Sequence, residues 1–290
     1  SFAGVVGLLG DAGPPELENA VLAARDELAE SIAETDDDLT LKFLDEGTLS
    51  DSEIGAGLKL GVGSSAVFPI LAGSGHSPGG IEQLLDAIVS YFPSPAEVPS
   101  VSAVKGDISV ELDADATGPL AALVFKTSAD PFVGKLSYFR VFRGTFTANS
   151  EVLDAATGET ERISQVFVPV GKHQEPVAAL AVGDIGAVAK LAHTVTGNTL
   201  TSKAERLAIT AVTYPEAVYS VAIHPKSKAD LDKLSSSLNR LLEEDPSLHL
   251  TREQSTGEMI VTGLGDTHVE VMADRARRKF GVDVDLALPR

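Results

Sequence analysis

Hydrophobic residues recur at helical spacing through the first 60 residues of the chain. The first run consists of Leu17, Val21, Ala24, Leu28 and Ile32. This spacing predicts an amphipathic helix that ends near Thr35, and a short second helix that starts at the acidic residues 36–38. Ser50 and Glu53 have the three-residue spacing of a capping box, which predicts the start of a third helix. The opening of the chain is therefore expected to be helical, with an acidic surface.

A short apolar run without helical spacing follows at 66–72, between Ala66 and Ala72. Its sequence, AVFPILA, is typical of a buried parallel strand. The glycine-rich segment GSGHSPGG comes next, and after it we expect a helix whose inward face is formed by Ile81, Leu84, Leu85 and Ile88. Strand, glycine loop and helix make half of a βαβ unit. The prolines at 93, 95 and 99 predict the end of this helix and a domain boundary.

Short strands at close spacing are predicted from residue 101 to about 206. They cover 120–128, 135–143, 151–153, 162–168 and 186–190. In DPFVGKLSYFRVFRG, at 130–144, Phe139 and Val141 alternate with Tyr138, Arg140 and Phe142, as expected for a strand that leaves a Pro-Phe-Val-Gly turn. Turns separate the strands, which favours a closed antiparallel barrel.

The last third has the order β-α-β-β-α-β. Strands are predicted at 218–224, 249–253, 259–263 and 282–286. The inward faces of the two helices are predicted to hold Leu231, Leu234, Leu238 and Leu241 in the first, and Val269, Met272, Ala276 and Phe280 in the second. This order predicts a ferredoxin-like sandwich.

Charge is distributed unevenly along the 290 residues. The formal net charge is -19, and residues 1–99 hold 17 acidic and 3 basic residues. This disfavours sequence-independent nucleic-acid binding by the first third, whereas the near-neutral remainder could still carry basic patches. The one dense basic cluster, at 275–279, is interpreted as a solvated helix end. At this length we expect two or three domains.

Several kinds of chemistry find no support in the sequence. It has no cysteine, no Gly-x-x-x-x-Gly-Lys-Ser/Thr and no Gly-x-Gly-x-x-Gly. Its six histidines never fall at metal-ligand spacing, and glycines interrupt the uncharged run at 60–81. We therefore expect no catalytic residues, no metal site and no membrane span. The acidic run Glu243, Glu244 and Asp245 is interpreted as a solvated helix end, although acids there oppose the helix dipole.

Longer stretches resemble one family. The segment at 130–144 and Val-Gly-Asp-Ile at 182–185 resemble the second domain of elongation factor G and its relatives among the translational GTPases. Residues 1–60 resemble the end of the inserted subdomain of the GTP-binding domain, and 66–95 resemble its last strand, guanine loop and last helix. YPEAVYSVAIHPKSK and GLGDTHVE resemble the third domain. The implied fold is multidomain α/β and β.

The resemblance implies three domains. Residues 1–98 would be the C-terminal part of a P-loop GTPase domain, 99–206 a translation-factor β-barrel and 207–290 the ferredoxin-like sandwich. Because the chain starts at Ser1 and the phosphate loop would lie upstream, we expect an internal piece of a longer protein. GTP and Mg²⁺ would then be cofactors of the intact protein, and this chain alone would neither bind nor hydrolyse GTP.

The resemblance also assigns a nucleotide loop. Gly73, Ser74 and Gly75 correspond to the guanine loop, where Ser74 and Gly75 would donate backbone N–H groups to the guanine oxygen in the intact protein. The family has alanine where this chain has Gly75, and Glu-Leu where it has Asp-Thr at 266–267, beside His268. These departures favour a paralogue over the housekeeping factor.

The implied partner is the ribosome, in the cytoplasm. The barrel would dock on small-subunit RNA, and the inserted subdomain would meet the stalk proteins. Two alternatives remain open: a tetracycline-type ribosomal protection protein, or a stand-alone binding module. The sheet neighbours of the strand at 66–72 would lie upstream of this chain, so we expect it to pair with the same strand of a second copy or to add to an edge of another domain. The alternative is an irregular segment packed against the helices at 16–60 and 81–92.

Overall fold

The computed structural model describes residues 4–10, 13–130, 134–171, 173–210 and 212–290. The chain divides into two compact units, Ser1–Val98 and Pro99–Arg290. Regular structure in the described part of the first unit consists of α1 (Glu18–Ala33), α2 (Asp37–Glu46), α3 (Asp51–Gly63) and α4 (Ile81–Tyr91).

The first three helices form where the sequence predicts them. The Asp36 side chain accepts from the amides of Asp38 and Leu39 and so caps α2. Ser50 and Glu53 form the predicted capping box at the start of α3. Between these helices lies a small core of Ala29, Ile32, Ala33, Leu49, Ile54 and Leu58. The unit is thus held together by the apolar faces of α1 and α3.

The predicted strand at 66–72 is wrong. No strand is assigned anywhere in the described residues of the first unit, and 66–72 is irregular. Phe68 is 79% exposed and Ile70 is 99% exposed. A buried strand needs a ladder partner for its backbone groups, and no described residue of this unit offers one.

The predicted inward face of α4 is also wrong. Ala87 is buried, whereas the four expected inward residues are exposed: Ile81 by 41%, Leu84 by 41%, Leu85 by 57% and Ile88 by 45%. The physical reason is the same as for 66–72. The helix has a strong apolar stripe, but the sheet on which such a stripe would pack is not formed by the described residues of this unit.

The first part of the second unit consists of antiparallel strands that form three sheets. Its strands are β1 (Val101–Lys105), β2 (Ile108–Leu112), β3 (Ala121–Asp130), β4 (Gly134–Arg143), β5 (Phe146–Thr147), β6 (Ser150–Asp154), β7 (Thr160–Ile163), β8 (Val166–Val170), β9 (His173–Val177), β10 (Ala179–Leu180), β11 (Ile185–Ala189), β12 (Thr199–Thr201) and β13 (Ala208–Ile209). Eight of them form one sheet in the order β7-β6-β12-β3-β4-β11-β8-β9. This confirms the predicted antiparallel barrel architecture.

One core fills the concave side of this sheet. Phe139 and Phe146 stack there with ring centroids 4.1 Å apart. Ile163 of β7, at one end of the strand order, and Val166 of β8, next to the other end, reach the same core, which shows that the sheet curls. Phe139 and Val141 point inward, as the alternation in β4 predicts. The Pro-Phe-Val part of the predicted turn before β4 lies outside the described residues.

The barrel differs from the sequence prediction in one divided strand and in several strands that were not predicted, among them β5, β9, β10 and β12. The strand expected at 162–168 is divided into β7 and β8, because β7 pairs with β6 whereas β8 pairs with β9 and β11. The hairpin of β1 and β2 was not predicted. It pairs with β13 and covers a second small core that includes Ala103, Leu112 and Leu207. Residues 208–209 therefore lie in the sheet of this hairpin, although 207–290 was the expected range of the sandwich.

The rest of the second unit is a ferredoxin-like sandwich. It consists of β14 (Tyr219–Pro225), α5 (Lys228–Glu244), β15 (His249–Arg252), β16 (Met259–Gly263), α6 (Asp266–Phe280) and β17 (Val284–Ala287). The sheet order β15-β16-β14-β17 confirms the predicted split βαβ arrangement. Leu234, Leu238 and Leu241 are buried against it. Leu231 is 56% exposed and lines an open cleft of about 1000 Å³, so its predicted inward position is wrong.

Candidate functional site

The loop between 73 and 80 is closed by its own backbone and by one serine. The Ser74 amide donates to the Gly79 carbonyl at 3.0 Å. The Ser74 hydroxyl accepts from the amides of His76 at 3.3 Å and Ser77 at 3.2 Å. Ser74 therefore folds the loop as a compact serine turn. Gly73 and Gly75 are exposed beside it.

Gly80 brings the two ends of this loop together. Its φ of 85° lies in the left-handed region, and a Cβ there would lie 2.5 Å from the Ala72 carbonyl oxygen. Only glycine meets both conditions without strain. The residue is also the N-cap of α4, so the loop leads directly into the helix. The assignment of Gly73, Ser74 and Gly75 to guanine stays a prediction.

A second constellation links the two helices of the sandwich. The His268 Nδ1 accepts from the Leu264 amide at 3.1 Å, which places the ring proton on Nε2. This Nε2–H donates to the Asp245 carboxylate at 2.9 Å. Burial would raise the pKa of Asp245, but hydrogen bonds from Ser247 and His268 lower that pKa below its ordinary value. The histidine thereby ties the start of α6 to the end of α5.

Glu244 is the most enclosed member of the acidic run. Its side chain is 8% exposed and forms an ion pair with Lys279 at 2.6 Å. It also accepts from the backbone amide of Ala129, at the end of β3, at 2.5 Å. The interpretation of 243–245 as a solvated helix end is therefore correct only for Glu243, which is exposed. These contacts offset the opposing helix dipole. No local signal predicts them, because 115 residues separate Ala129 from Glu244.

Three of the four basic residues in the cluster at the end of α6 contact an acidic side chain. Arg277 and Arg278 are exposed and both contact Asp274, at 2.6 Å and 2.7 Å. Lys279 is the partner of Glu244. The interpretation of a solvated helix end agrees with the two arginines, while Lys279 has a structural partner that the sequence did not reveal.

Cationic and aromatic side chains lie together on the paired strands β3 and β4, where Lys126 of β3 is opposite Tyr138 of β4. The Lys126 ammonium lies 5.5 Å from the centre of the Tyr138 ring. The Arg140 guanidinium lies 5.3 Å from the centre of the Phe142 ring. Phe142 itself packs against the core under the β1–β2 hairpin, so Lys126, Tyr138 and Arg140 are the members left to present positive charge and an aromatic ring, a chemistry suited to nucleic acid. We call Lys126, Tyr138 and Arg140 the β4 face.

The described residues hold neither a metal centre nor a membrane helix. No group of three potential metal ligands within them lies close enough together to hold an ion. Among the described helices, none has the length and apolarity needed to cross a membrane.

Comparison with known proteins agrees with this architecture. The family model of elongation factor G domain 2 matches residues 119–203, and the model of elongation factor G domain III matches residues 214–288. The crystal structure of a protein from Thermus thermophilus superposes with a TM-score of 0.73 at 30% identity. The match covers 96% of this chain and 39% of the Thermus protein. Two consecutive domain models and the shared fold show that the chain belongs to the elongation factor G family.

Proposed function

We propose that this chain acts on the ribosome as part of an elongation-factor-G-like translational GTPase, in GTP-driven translocation or a related step of protein synthesis. The observation that carries the proposal is the succession of two elongation factor G domain types, at 119–203 and 214–288, within one compact unit. In this proposal the protein works in the cytoplasm, and the first unit meets the ribosomal stalk proteins.

The β4 face is the part of the barrel that we assign to small-subunit RNA. Lys126 is exposed, and Tyr138 and Arg140 are half-buried beside it. Phosphate contacts by the two cations would give salt-dependent affinity, and the tyrosine ring could stack on an unpaired base. The barrel segment 100–206 holds 12 acidic and 10 basic residues, so its own net charge opposes such binding only weakly.

Co-sedimentation with purified ribosomal subunits tests the proposal. We expect the chain to pellet with small subunits, and to do so less as salt is raised. Lys126→Glu combined with Arg140→Glu should reduce pelleting about tenfold or more, since it replaces two attractive phosphate contacts with repulsion. Lys105→Glu combined with Lys203→Glu, at two exposed barrel residues outside β3 and β4, makes the same change in charge and is the control. Equal loss in the control, or no pelleting of the parent chain, would contradict the proposal.

We further propose that GTP and Mg²⁺ are cofactors of the intact protein only. The support is the sequence, which contains no phosphate loop to surround the nucleotide phosphates. Isothermal titration of the chain with GTP and Mg²⁺ should show no heat of binding. A micromolar dissociation constant in that titration would refute the proposal.

Self-association is a separate proposal about the first unit. The segment 66–72 exposes most of Phe68 and nearly all of Ile70. In this proposal the exposed apolar segment, whose backbone has no ladder partner in the described residues, becomes a strand by pairing with the same segment of another copy.

A further inference from the structure

One edge of β3 has a strand neighbour along only part of its length. β12 pairs with residues 121–123 of β3, and the Val124 amide donates to the Asn198 carbonyl at 2.9 Å. Beyond Val124, no described strand pairs with this edge. Open strand edges carry backbone amides that need acceptors, and proteins cover them with other elements.

The end of α5 supplies the acceptor. α5 lies against β3, and the Glu244 carboxylate accepts from the Ala129 amide at 2.5 Å. Both oxygens of the same carboxylate contact the Lys279 ammonium of α6, at 2.6 Å and 2.9 Å. Ala129 is 9% exposed, so the contact is largely shielded from water. One side chain thus joins a barrel strand to both helices of the sandwich.

The covalent connection between barrel and sandwich is much less constrained. The Thr210 amide donates a hydrogen bond to the Ser102 carbonyl on the barrel side, and the Val218 amide donates one to the Gly263 carbonyl on the sandwich side. Between them, residues 212–217 have no regular structure, and all but Ala217 are exposed. A linker of this kind restricts distance more than orientation.

We propose that Glu244 is an interdomain latch, in which its carboxylate fixes the orientation of the sandwich against the free edge of β3. Charge-assisted hydrogen bonds in a shielded site are stronger than neutral ones and are sensitive to geometry. The ion pair with Lys279 holds the carboxylate in the direction that the Ala129 amide requires. When the latch is broken, each domain keeps its own core, and the sandwich turns about the linker at 212–217.

Pulsed electron–electron double resonance measures the distribution of distances between two spin labels, which broadens when the relative orientation of the two domains is no longer fixed. The chain has no cysteine, so Glu175→Cys on β9 and Glu270→Cys on α6, both exposed, give one labelled pair across the two domains. We expect a narrow distance distribution in the labelled parent chain. Glu244→Ala should broaden it at least twofold, whereas Glu243→Ala, on the exposed neighbour at the same helix end, should leave it unchanged.

A second variant breaks the contact from the barrel side. Ala129→Pro removes the donor amide without altering the sandwich, and proline is tolerated where a strand amide faces away from its ladder. We expect the same broadening, with circular dichroism and amide exchange of both domains unchanged. If Glu244→Ala unfolds the sandwich, the distance distribution of Ala129→Pro alone decides whether the proposal holds. A narrow distribution in Ala129→Pro, or equal broadening by Glu243→Ala, would overturn the proposal.

Discussion

Among single residues, two buried acids hold the loop at 190–198 to the barrel. Glu161 is 3% exposed and accepts from the amides of Ala192 at 3.0 Å, His193 at 2.7 Å and Thr194 at 2.9 Å. Asp154 is fully buried and accepts from the Asn198 side chain at 2.8 Å. The backbone of β3 and β4 holds the two ends of this loop, and the carboxylates satisfy the donors between those ends that no strand reaches.

Replacing Glu161 with glutamine should destabilise the barrel by about 2 to 3 kcal/mol. The physical reason is that the side-chain NH₂ of glutamine would face backbone donors, and the charge that strengthens the remaining bonds is lost. Urea unfolding followed by circular dichroism measures the loss. Glu159→Gln changes the same charge at an exposed position and is the control. Equal midpoints for the two variants would contradict the prediction.

The same carboxylate predicts a dependence on pH. Burial alone would raise the pKa of Glu161, but the three amides and the Thr194 hydroxyl lower that pKa below the ordinary value of 4.5. A lowered folded-state pKa contributes stability that is complete above about pH 4.5 and is lost as the pH falls through the folded pKa. The free energy of unfolding should therefore fall less steeply with acid in Glu161→Gln than in the parent chain. Parallel curves would show that Glu161 is not the titrating group.

Among the helices and strands, the exposed apolar surface of the first unit is the feature with the clearest consequence. The segment 66–72 and the stripe of α4 both have the composition of core elements, and both are exposed. Monomeric proteins rarely expose contiguous apolar surface of this kind. Local sequence made α4 a helix, but burial of its stripe requires a second surface.

Self-association through 66–72 can be tested at Ile70. Ile70→Asp places a charge on a side chain that is 99% exposed, so it should disrupt pairing between copies without loss of folding. We expect light scattering to show a mass that rises with concentration for the parent chain and stays monomeric for the variant. Leu44→Asp, at a residue on α2 that is 74% exposed, is the control and should behave as the parent does. Monomers before and after the Ile70 substitution, at high concentration, would exclude the self-pairing.

Within the molecule as a whole, the sandwich is complete in itself. Its four strands and two helices enclose one core. The segment 212–217, which connects it to the barrel, has no regular structure. Contact with the barrel is added to this core through the end of α5. The domain should therefore keep its fold when the barrel is removed.

We predict that the excised sandwich folds cooperatively. Residues 208–209 pair with β1, which local sequence did not indicate, so a piece covering 212–290 is a sharper test than one covering 207–290. At this size a free energy of unfolding of about 3 to 5 kcal/mol is expected. Thermal unfolding by circular dichroism and amide exchange provide the measurement. Absence of a cooperative transition would show that the boundary is misplaced.

Features that depend on neighbours along the chain could be predicted from the sequence alone. Helical spacing and the Ser50 cap define α1 and α3, and the alternation of Phe139 and Val141 defines β4. The order of the last six elements follows from the same local periodicities. The family could also be predicted from the sequence, because long segments such as 130–144 resemble elongation factor G residue by residue.

Features that need a partner distant in sequence were settled only by the folded chain. Glu244 finds Ala129 across 115 residues, and Glu161 finds the Ala192 amide across 31. The exposure of α4 and the irregular course of 66–72 depend in the same way on which surfaces the fold supplies. The local sequence shows that one face of a helix is apolar, or that acidic residues stand at the end of a helix. Which group meets that face or acid depends on the packing of the whole fold, and that packing is not encoded within any one segment.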